Sequence, residues 1–522
     1  MATLTNDIQY YFLCFLLWIA STLLLLHHIF KKPAKPTAAL RLPPSPPALP
    51  LIGHIHHLTS SAHECFKKLS SKYGPLLYIR LGSYPLILVS SASMAADIFK
   101  THDLHFSHKP KSVTENDRLM LFGSSSFSNA PYGDYWRFMK KLCVSELLSP
   151  RQIERSHHIR REERFRFLQK ILEKARKNEA VDIGGEITAL TNNIICRMVM
   201  STRCSGEDNE AERCRELMKE SFDLAIKLTL VAFLGPFKKL GAWVFRKQAL
   251  DVPRRFDELL EKLMKEHEER AKKGYSEPED KDLMDILLQV YHDEYSELKI
   301  TRDQMKCFFL DLFVAGTSTS ADAMQWVVAE LINHPNVAKK LREEIESVVG
   351  RNRLVEEADI PSLPYLQAVV KETLRLYPPA PIIPRACIEN CKIGDFDVSK
   401  GIPIAVNAYS IMRDPGEWEN PDDFYPERFL APHTEQNGQT ETKLGQTFNF
   451  VAFGGGRRMC PGSNLAYSIM NNTIAAMVQC FDWKVNGDGS YGAKVDMQVA
   501  SGATISRAHP LLCTPIVHLN PF

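Results

Sequence analysis

The sequence predicts a mainly α-helical protein with a smaller β region, preceded by one N-terminal transmembrane helix. Three observations support this: an uncharged apolar stretch at the N-terminus, a helical pattern over 301–333, and two short strand patterns near residue 80. Hydrophobic residues make up 44% of the chain and charged residues 24%, which is ordinary globular usage. Because a single core stops growing near ~250–300 residues, a chain of 522 residues predicts two lobes or two domains.

The N-terminal stretch Ile8–Phe30 carries no Asp, Glu, Lys or Arg. As a helix it would reach about 34 Å, enough to cross a hydrocarbon layer of ~30 Å. A cleaved signal peptide is the alternative, but it needs a basic start and a shorter apolar core, and here the start holds Asp7 and no basic residue. Lys31 and Lys32 follow the span, and positive charge stays on the cytoplasmic side. We therefore expect residues 1–30 to form an uncleaved single-pass anchor, with the body in the cytosol.

The segment 31–53 joins this anchor to the body, residues 54–522, and is basic and rich in proline. Its part 42–53 reads Leu-Pro-Pro-Ser-Pro-Pro-Ala-Leu-Pro-Leu-Ile-Gly, which favours a stiff extended conformation. We interpret it as a hinge that sets the orientation of the body at the membrane.

Charge and cysteine usage exclude two classes of protein. Lys and Arg number 64 against 62 Asp and Glu, a net charge of +2, which argues against a nucleic-acid binder held by overall charge. The 12 cysteines are far fewer than the roughly 8–10% of a disulfide scaffold. Without a regular framework, they predict reduced thiols in a cytosolic body.

The body should combine a hairpin near its start with many helices. Leu76–Leu81 and Leu86–Ser90 read as strands joined by a turn from Gly82 to Pro85. Most of 135–275 reads as helical, with charged faces.

The pattern over 301–333 predicts a helix about 50 Å long, which would run through the body. Thr301 and Gln304 form a capping-box pattern, and Pro335 ends the helix. Its middle, from Ala315 to Ser320, holds small and hydroxylated residues. Small residues allow close approach to the backbone, so this segment serves either tight helix packing or a ligand.

The segment 453–462 reads Phe-Gly-Gly-Gly-Arg-Arg-Met-Cys-Pro-Gly and precedes a helical pattern over 463–480. A lone cysteine is usually a small buried hydrophobe, and a phosphate loop would need a following Gly-Lys-Ser/Thr. Another interpretation is that glycines bring the chain close under a flat cofactor. The helix start would then lower the pKa of the Cys460 thiol, making it a metal ligand, and Arg458 would neutralise an anion.

This segment resembles the haem-binding signature of the cytochrome P450 superfamily, Phe-x-x-Gly-x-Arg-x-Cys-x-Gly. The residues that match its fixed positions are Phe453, Gly456, Arg458, Cys460 and Gly462. The resemblance implies the P450 fold, with a long central helix over haem b, and makes 54–522 a haem-thiolate monooxygenase domain. Cys460 would be the axial iron ligand, and a thiolate in that place favours O–O cleavage.

Other segments follow in the order that this resemblance implies. Glu372 and Arg375 match the family's Glu-x-x-Arg helix, and Arg428 lies in a Pro-Glu-Arg-Phe segment, so the three should form a structural triad. Trp136 and Lys140 resemble the Trp-x-x-x-Arg motif that meets a haem propionate. Lysine here is a departure, because it lacks the guanidinium fork.

Arg385 resembles the family's other propionate contact. The order of the motifs and the single anchor are similar to the plant microsomal branch, which implies the endoplasmic reticulum membrane. The resemblance also implies that electrons come from NADPH through a separate reductase. Basic residues on the face beneath the haem could attract that acidic partner: Arg137, Lys140, Lys141 and Arg457. The alternative is that these residues are simply solvated or contact the haem propionates.

Ala315, Gly316, Ser318 and Thr319 resemble the family's oxygen-activation motif. Thr319 matches the motif's threonine, whereas Ser318 stands where the family usually has Asp or Glu. Serine can order water but cannot supply a carboxyl proton. Asp322 lies four residues beyond Ser318 and could share its helix face. We consider both that Asp322 feeds a water chain and that it is a structural partner of a neighbouring helix.

The regions that the resemblance assigns to substrate contact are largely apolar, which predicts a small hydrophobic substrate. Their apolar residues are Leu119, Met120, Leu121, Phe122, Phe127, Leu228, Leu230, Phe233, Phe309, Phe313, Ile382 and Ile383. The chain is similar to plant families that oxidise triterpenoids or flavonoids. Ser318 and the pair Ile382–Ile383 favour methyl-group oxidation of a pentacyclic triterpenoid, with a flavonoid or isoflavonoid hydroxylase or desaturase as the alternative.

Four further interpretations receive less support from the sequence. One is a haem-thiolate isomerase or dehydratase that needs no reductase; such relatives tend to lose the threonine of the oxygen-activation motif, whereas Thr319 is present here. Another is a haem carrier or sensor, which would have no need for Thr319. A zinc site at Cys387 and Cys391 lacks a second ligand pair. A metal site in the histidine-rich segment 54–63 is less expected than a surface loop.

Overall fold

The computed structural model describes residues 13–24, 40–50, 52–59, 61–110, 126–203, 243–274, 281–430, 448–485 and 494–520, with single positions between 217 and 241. Within these ranges, no helix is both long and apolar enough to span a membrane. The structure describes helix 13–24 of the predicted anchor; the rest of that prediction lies outside the described residues.

Helices form most of the described body, as predicted. In chain order they are α1 (Ala62–Tyr73), α2 (Ala92–Ala96), α3 (Asp134–Cys143), α4 (Pro150–Arg155), α5 (His157–Arg176), α6 (Ile183–Met200), α7 (Arg246–Lys273), α8 (Leu283–His292), α9 (Arg302–Asn333), α10 (Pro335–Val349), α11 (Pro364–Leu376), α12 (Ala408–Ile411) and α13 (Ser463–Cys480). Short π-helical turns extend α2 over Asp97–Thr101 and α3 over Val144–Leu148. Shorter 3₁₀ turns cover Ile55–His57, Glu357–Ser362, Pro426–Phe429 and Gly456–Arg458.

The central helix α9 begins as predicted, because Thr301 and Gln304 exchange side-chain and backbone hydrogen bonds in a capping box. It ends at Asn333, just before His334 and Pro335. Its 32 residues span about 48 Å. Much of its surface is buried, and it packs along α6, α11 and α13.

Strands build three small sheets from nine segments of the described chain. The strands are β1 (Leu76–Leu81), β2 (Tyr84–Val89), β3 (Val181–Asp182), β4 (Ile382–Ala386), β5 (Cys391–Ile393), β6 (Phe396–Val398), β7 (Pro403–Asn407), β8 (Phe481–Val485) and β9 (Leu512–Val517). The sheet orders are β1-β2-β7-β4, β3-β9-β8 and β5-β6. Among these described strands, only the pair β2–β7 is parallel.

The first hairpin is tighter than its sequence pattern indicates. Leu81 pairs with Tyr84, so Tyr84 and Pro85 belong to β2 and not to the turn. Gly82 adopts a φ of +62°, which permits the reversal within two residues.

The proline-rich hinge is docked on this sheet from residue 44 onwards. Tyr78 donates its backbone N–H to the Pro44 carbonyl at 2.8 Å. His54 accepts from the Arg80 N–H at 2.8 Å, and its other ring nitrogen reaches the Pro46 carbonyl at 2.9 Å. His54 and His63 are both buried, so the predicted surface loop is wrong at these two histidines. They serve packing in this segment.

Buried side chains form one large cluster among the helices and two smaller clusters around the four-stranded sheet.

The cysteines depart from expectation at one position. Nine described cysteines are free thiols, but Cys196 on α6 is disulfide-bonded, so the prediction of reduced thiols throughout is wrong there.

Candidate functional site

Cys460 lies in a loop between the turn Gly456–Arg458 and helix α13. Its backbone N–H donates to the Phe453 carbonyl at 3.0 Å, which closes the loop. The Cys460 side chain is exposed, yet desolvation by the surrounding chain raises the pKa of its thiol. The Gly462 N–H and the charge of Lys140 lower the pKa, but desolvation outweighs them. The expectation of a lowered thiol pKa is therefore wrong for the protein alone.

The glycines of this loop make room for protein atoms. A Cβ on Gly455 would lie 2.8 Å from the Phe99 ring, and one on Gly456 would lie 2.3 Å from an Asp103 oxygen. Gly454 and Gly456 also have positive φ angles of 76° and 67°. The loop therefore folds tightly against the π turn after α2. Gly455 and Gly456 therefore allow close approach of protein atoms. The sequence interpretation had expected these glycines to allow close approach of a cofactor.

Arg458 ties the cysteine loop to the chain before α3. Its guanidinium donates to the Ser107 carbonyl at 2.7 Å and also to the carbonyls of Ser128 and Ala130. The same group lies 4.4 Å from the centre of the Trp136 ring. The cysteine loop and Trp136, which lie about 320 residues apart in sequence, are therefore brought together by Arg458. They form one wall of the candidate haem site.

Arg385 and Lys140 reach this loop from two other elements. On β4, Arg385 donates to the Gly455 carbonyl at 3.2 Å. On α3, Lys140 donates to the Arg457 carbonyl at 2.5 Å, and its ammonium lies 5.0 Å from the centre of the Trp136 ring. Both contacts are made by the single ammonium group of Lys140, whereas an arginine would present a planar guanidinium with several donors.

Three cations, Arg458, Arg385 and Lys109, act on one another around this wall. Burial lowers the pKa of Arg458 to about 10, and burial with the charge of Arg458 lowers that of Arg385 to about 10. Burial and both arginines lower the pKa of Lys109 to about 8. The buried Nδ1 of His108 has no hydrogen-bond partner in the described structure. Such a set of donors fits a ligand with two carboxylates, as haem b has.

Asp311 is a buried residue beside the site that the sequence interpretation missed. This buried carboxylate on α9 accepts hydrogen bonds from the Ser126 and Ser128 hydroxyls at 2.9–3.0 Å. It also accepts from the Ser128 N–H at 3.0 Å. Since Arg458 donates to the carbonyl of Ser128, the segment 126–130 is held between the central helix and the cysteine loop. The sequence offers one signal, an acid inside an apolar helix turn.

The small and hydroxylated residues of α9 divide between two roles. A Cβ on Gly316 would lie 2.9 Å from Ile195 of α6, which supports the packing interpretation there. Ala315 is exposed. The Ser318 and Thr319 hydroxyls donate to carbonyls one turn back, at 3.3 and 2.7 Å. With those protons engaged, both oxygens are left to accept from a water or an acid.

Asp322 follows Ser318 and Thr319 by one helical turn, so the three share a face of α9. Burial raises the pKa of its carboxyl to about 7, and no nearby charge contributes to this shift. Within the described structure Asp322 has no ion pair or hydrogen bond, so the alternative of a structural partner finds no support.

Glu372, Arg375 and Arg428 meet as a buried network. Arg375 donates twice to Glu372 at 2.8 Å, and Arg428 donates to the same carboxylate at 3.0 Å. The Tyr425 N–H adds a fourth hydrogen bond to Glu372 at 2.9 Å. Arg375 also donates to three backbone carbonyls between α12 and the Pro426–Phe429 turn. The network fixes α11 to the chain that leads to the cysteine loop.

The predicted substrate residues are distributed unevenly. Six lie outside the described residues: Leu119, Met120, Leu121, Phe122, Leu230 and Phe233. Phe309 and Phe313 are fully buried in the helical core, so the expectation that they contact substrate is wrong. Ile383 approaches the cysteine loop, with its Cδ1 3.9 Å from a Cβ built on Gly454.

The remaining metal candidates do not form a site in the described residues. One group of three potential ligands occurs there, His267, Asp282 and Asp285. Asp282 and Asp285 form the capping box of α8, and His267 contacts Asp282 at 3.0 Å, so helix capping and an ion pair account for them. Cys387 and Cys391 do not belong to a group of three.

Comparison with known proteins identifies the family. The cytochrome P450 family model matches residues 43–501. This chain belongs to the cytochrome P450 family. As a P450 it is a haem-thiolate monooxygenase that works with a reductase and a small substrate.

Two plant P450s are similar to this chain over nearly its full length. Cytochrome P450 705A22 of Arabidopsis thaliana is 46% identical over 100% of this chain and 99% of its own length. The 3,9-dihydroxypterocarpan 6A-monooxygenase of Glycine max is 39% identical over 97% of this chain and 98% of its own. A solved zebrafish P450 structure with progesterone has a TM-score of 0.71 at 26% identity, covering 87% of this chain and 99% of that one.

Proposed function

We propose that this P450 hydroxylates a flavonoid-type, fused-ring plant metabolite at a C–H bond. The supporting observation is its full-length similarity to a monooxygenase named for a pterocarpan, a flavonoid-type compound. The triterpenoid that the sequence interpretation favoured has less support, because no relative described above is named for one. The apolar character of the predicted contact regions suits either compound.

In this proposal the Cys460 thiolate would bind the haem iron. The haem, when bound, supplies oxygen activation and insertion into the C–H bond. Arg458, Arg385 and Lys109, three cations whose pKa values burial lowers, would hold the two propionates. The buried Nδ1 of His108, which has no hydrogen-bond partner among the described residues, would join them. Trp136 and Lys140 close the same wall. Phe453, Gly456 and Gly462 shape the loop that presents the sulfur.

The proton path is proposed to run along one face of α9. Asp322 gives a proton to water that the oxygens of Ser318 and Thr319 hold, since both hydroxyl protons are engaged by helix carbonyls. Ala315, exposed one turn before Thr319, leaves space for that water. Asp322 would thus replace the carboxyl that the family usually places at the Ser318 position.

We propose that the reductase docks beside the cysteine loop, where Arg137, Lys141 and Arg457 are exposed. Each is paired with an acid: Asp134, Glu297 and Asp103, respectively. The face is therefore less basic than its lysines and arginines indicate. Steering of an acidic partner should be weak and readily screened by salt.

We propose that residues 1–30 anchor the protein in the endoplasmic reticulum membrane with the catalytic domain in the cytosol. The uncharged stretch Ile8–Phe30 and the lysines that follow it support this orientation. The docking of the hinge on β1 through Pro44 would set the domain's distance from the membrane.

The substrate proposal is tested with microsomes that contain this chain, a plant reductase and NADPH. Panels of flavonoid-type compounds and pentacyclic triterpenoids are incubated in parallel, and products are identified by mass spectrometry. We expect a hydroxylated flavonoid-type product that disappears in the Cys460→Ser variant. Oxidation of triterpenoids alone would overturn the substrate proposal while leaving the monooxygenase assignment intact.

A further inference from the structure

Two cysteines outside the haem site stand close together beside the four-stranded sheet. The sulfur atoms of Cys387 and Cys391 are 3.4 Å apart, and both residues are free thiols. Cys387 directly follows β4 and is buried, whereas Cys391 begins β5 and is partly exposed. A small oxidant can therefore approach from the side of Cys391.

Backbone pairing holds both positions. Cys387 donates its N–H to the Ile402 carbonyl at 3.2 Å and accepts from the Gly401 N–H at 2.7 Å. Cys391 pairs with Val398 in the β5–β6 hairpin. A disulfide bond is about 2.0 Å long, so the sulfurs need to approach by roughly 1.4 Å. Rotation of the two side chains is the motion available for this.

The thiols also polarise each other. The hydrogen bond from Cys391 lowers the pKa of Cys387, and the same interaction raises that of Cys391. Because the thiolate is the reactive form, Cys387 is the nucleophile and Cys391 the resolving thiol.

We propose that Cys387 and Cys391 form a redox-sensitive dithiol that hydrogen peroxide converts to an internal disulfide. The Cys387 thiolate attacks one peroxide oxygen, the O–O bond breaks, and a sulfenic acid and one water result once hydroxide is protonated. The Cys391 sulfur then displaces the sulfenic hydroxyl group, which leaves as a second water. Two thiols lose two electrons and two protons, and one peroxide becomes two waters.

The position of this dithiol ties it to the haem-site wall. The neighbouring Ala386 donates to the His108 carbonyl at 2.8 Å, and Ile388 donates to the His105 carbonyl at 2.8 Å. Arg385 lies two residues before Cys387 on the same strand. The disulfide would therefore tether the strand that carries Arg385 and pairs with the segment before Lys109.

The test uses the full-length protein, reduced and then treated with hydrogen peroxide. After alkylation and digestion, mass spectrometry should show Cys387 and Cys391 joined and two fewer alkylated cysteines. The Cys391→Ser variant should instead accumulate a sulfenic acid at Cys387, which dimedone traps. Cys480→Ala, at a buried cysteine elsewhere, is the matched control and should still form the disulfide.

A second measurement needs no variant and no oxidation. Phenylarsine oxide condenses with two neighbouring thiols and releases one water, so it should bind and protect both cysteines from alkylation. The proposal is overturned if peroxide leaves both cysteines alkylatable, or oxidises Cys391 alone to a sulfinic acid without forming a link. It is equally overturned if the arsenical fails to protect the pair.

Discussion

Replacing Asp322 by Asn tests whether α9 carries a proton donor at its centre. The substitution keeps the shape of the side chain and removes its titration. In the folded protein burial raises the pKa of Asp322 to about 7 from its ordinary value of 3.8. The folded state therefore binds this proton more tightly than the unfolded state does.

The size of the effect follows from this shift of about three pKa units, each of which is about 1.4 kcal/mol. Because the folded pKa is the higher one, the protein loses stability as pH rises from about 4 to about 7. The total loss is at most about 4 kcal/mol, and between pH 5 and pH 8 it is about 2–3 kcal/mol. Asn does not titrate and carries no such cost. The stability of the variant relative to the parent should therefore increase between pH 5 and about pH 7, and change little above that.

Denaturant unfolding of parent and variant between pH 5 and pH 8 measures this difference. Asp303→Asn is the matched control, because Asp303 is exposed in the first turn of the same helix. Parallel stability profiles for the parent and Asp322→Asn would refute the raised pKa, and with it the proton donor. A second readout is the ratio of product to NADPH consumed, which should fall in Asp322→Asn and not in the control.

Three further substitutions test separate parts of the account. Thr319→Ala should divert reducing equivalents to peroxide several-fold while the protein stays folded; unchanged coupling of NADPH use to product would contradict the role of this hydroxyl. Glu372→Gln should cost about 3–5 kcal/mol, because two buried arginines lose their anion, and an unaltered denaturation midpoint would show that the network is dispensable. Asp311→Asn should weaken the hold on segment 126–130 by about 2–3 kcal/mol and speed haem loss to apomyoglobin; haem loss at the parent's rate would rule out its positioning role.

Local sequence signals predicted much of the framework. The capping residues Thr301 and Gln304 and the proline at 335 set the ends of α9 through interactions within a few residues. Helix α13 likewise follows the cysteine loop over the predicted range. Glu372 and Arg375 are one helical turn apart, so their contact needs no tertiary information. Where a structural feature depends on residues close together in the chain, the sequence pattern was sufficient to predict it.

Features that depend on distant contacts were missed. Asp311 meets Ser126 across 185 positions, and Lys109 acquires its lowered pKa from burial and from two arginines far along the chain. The thiol of Cys460 was expected to have a lowered pKa, but desolvation by surrounding elements outweighs the nearby helix start. Burial depends on the whole fold, and a segment's own residues do not reveal it. The same reason explains why Phe309 and Phe313 lie in the core.

The central claim is that Cys460 binds haem iron as a thiolate. The reduced, carbon monoxide-bound absorbance spectrum of microsomes tests it most directly, with the parent and Cys460→His compared at equal amounts of folded protein. The account predicts the red-shifted Soret band that gives P450 proteins their name in the parent, and its loss in the variant. A folded parent without that band, or a variant that keeps it, would contradict the assignment of Cys460.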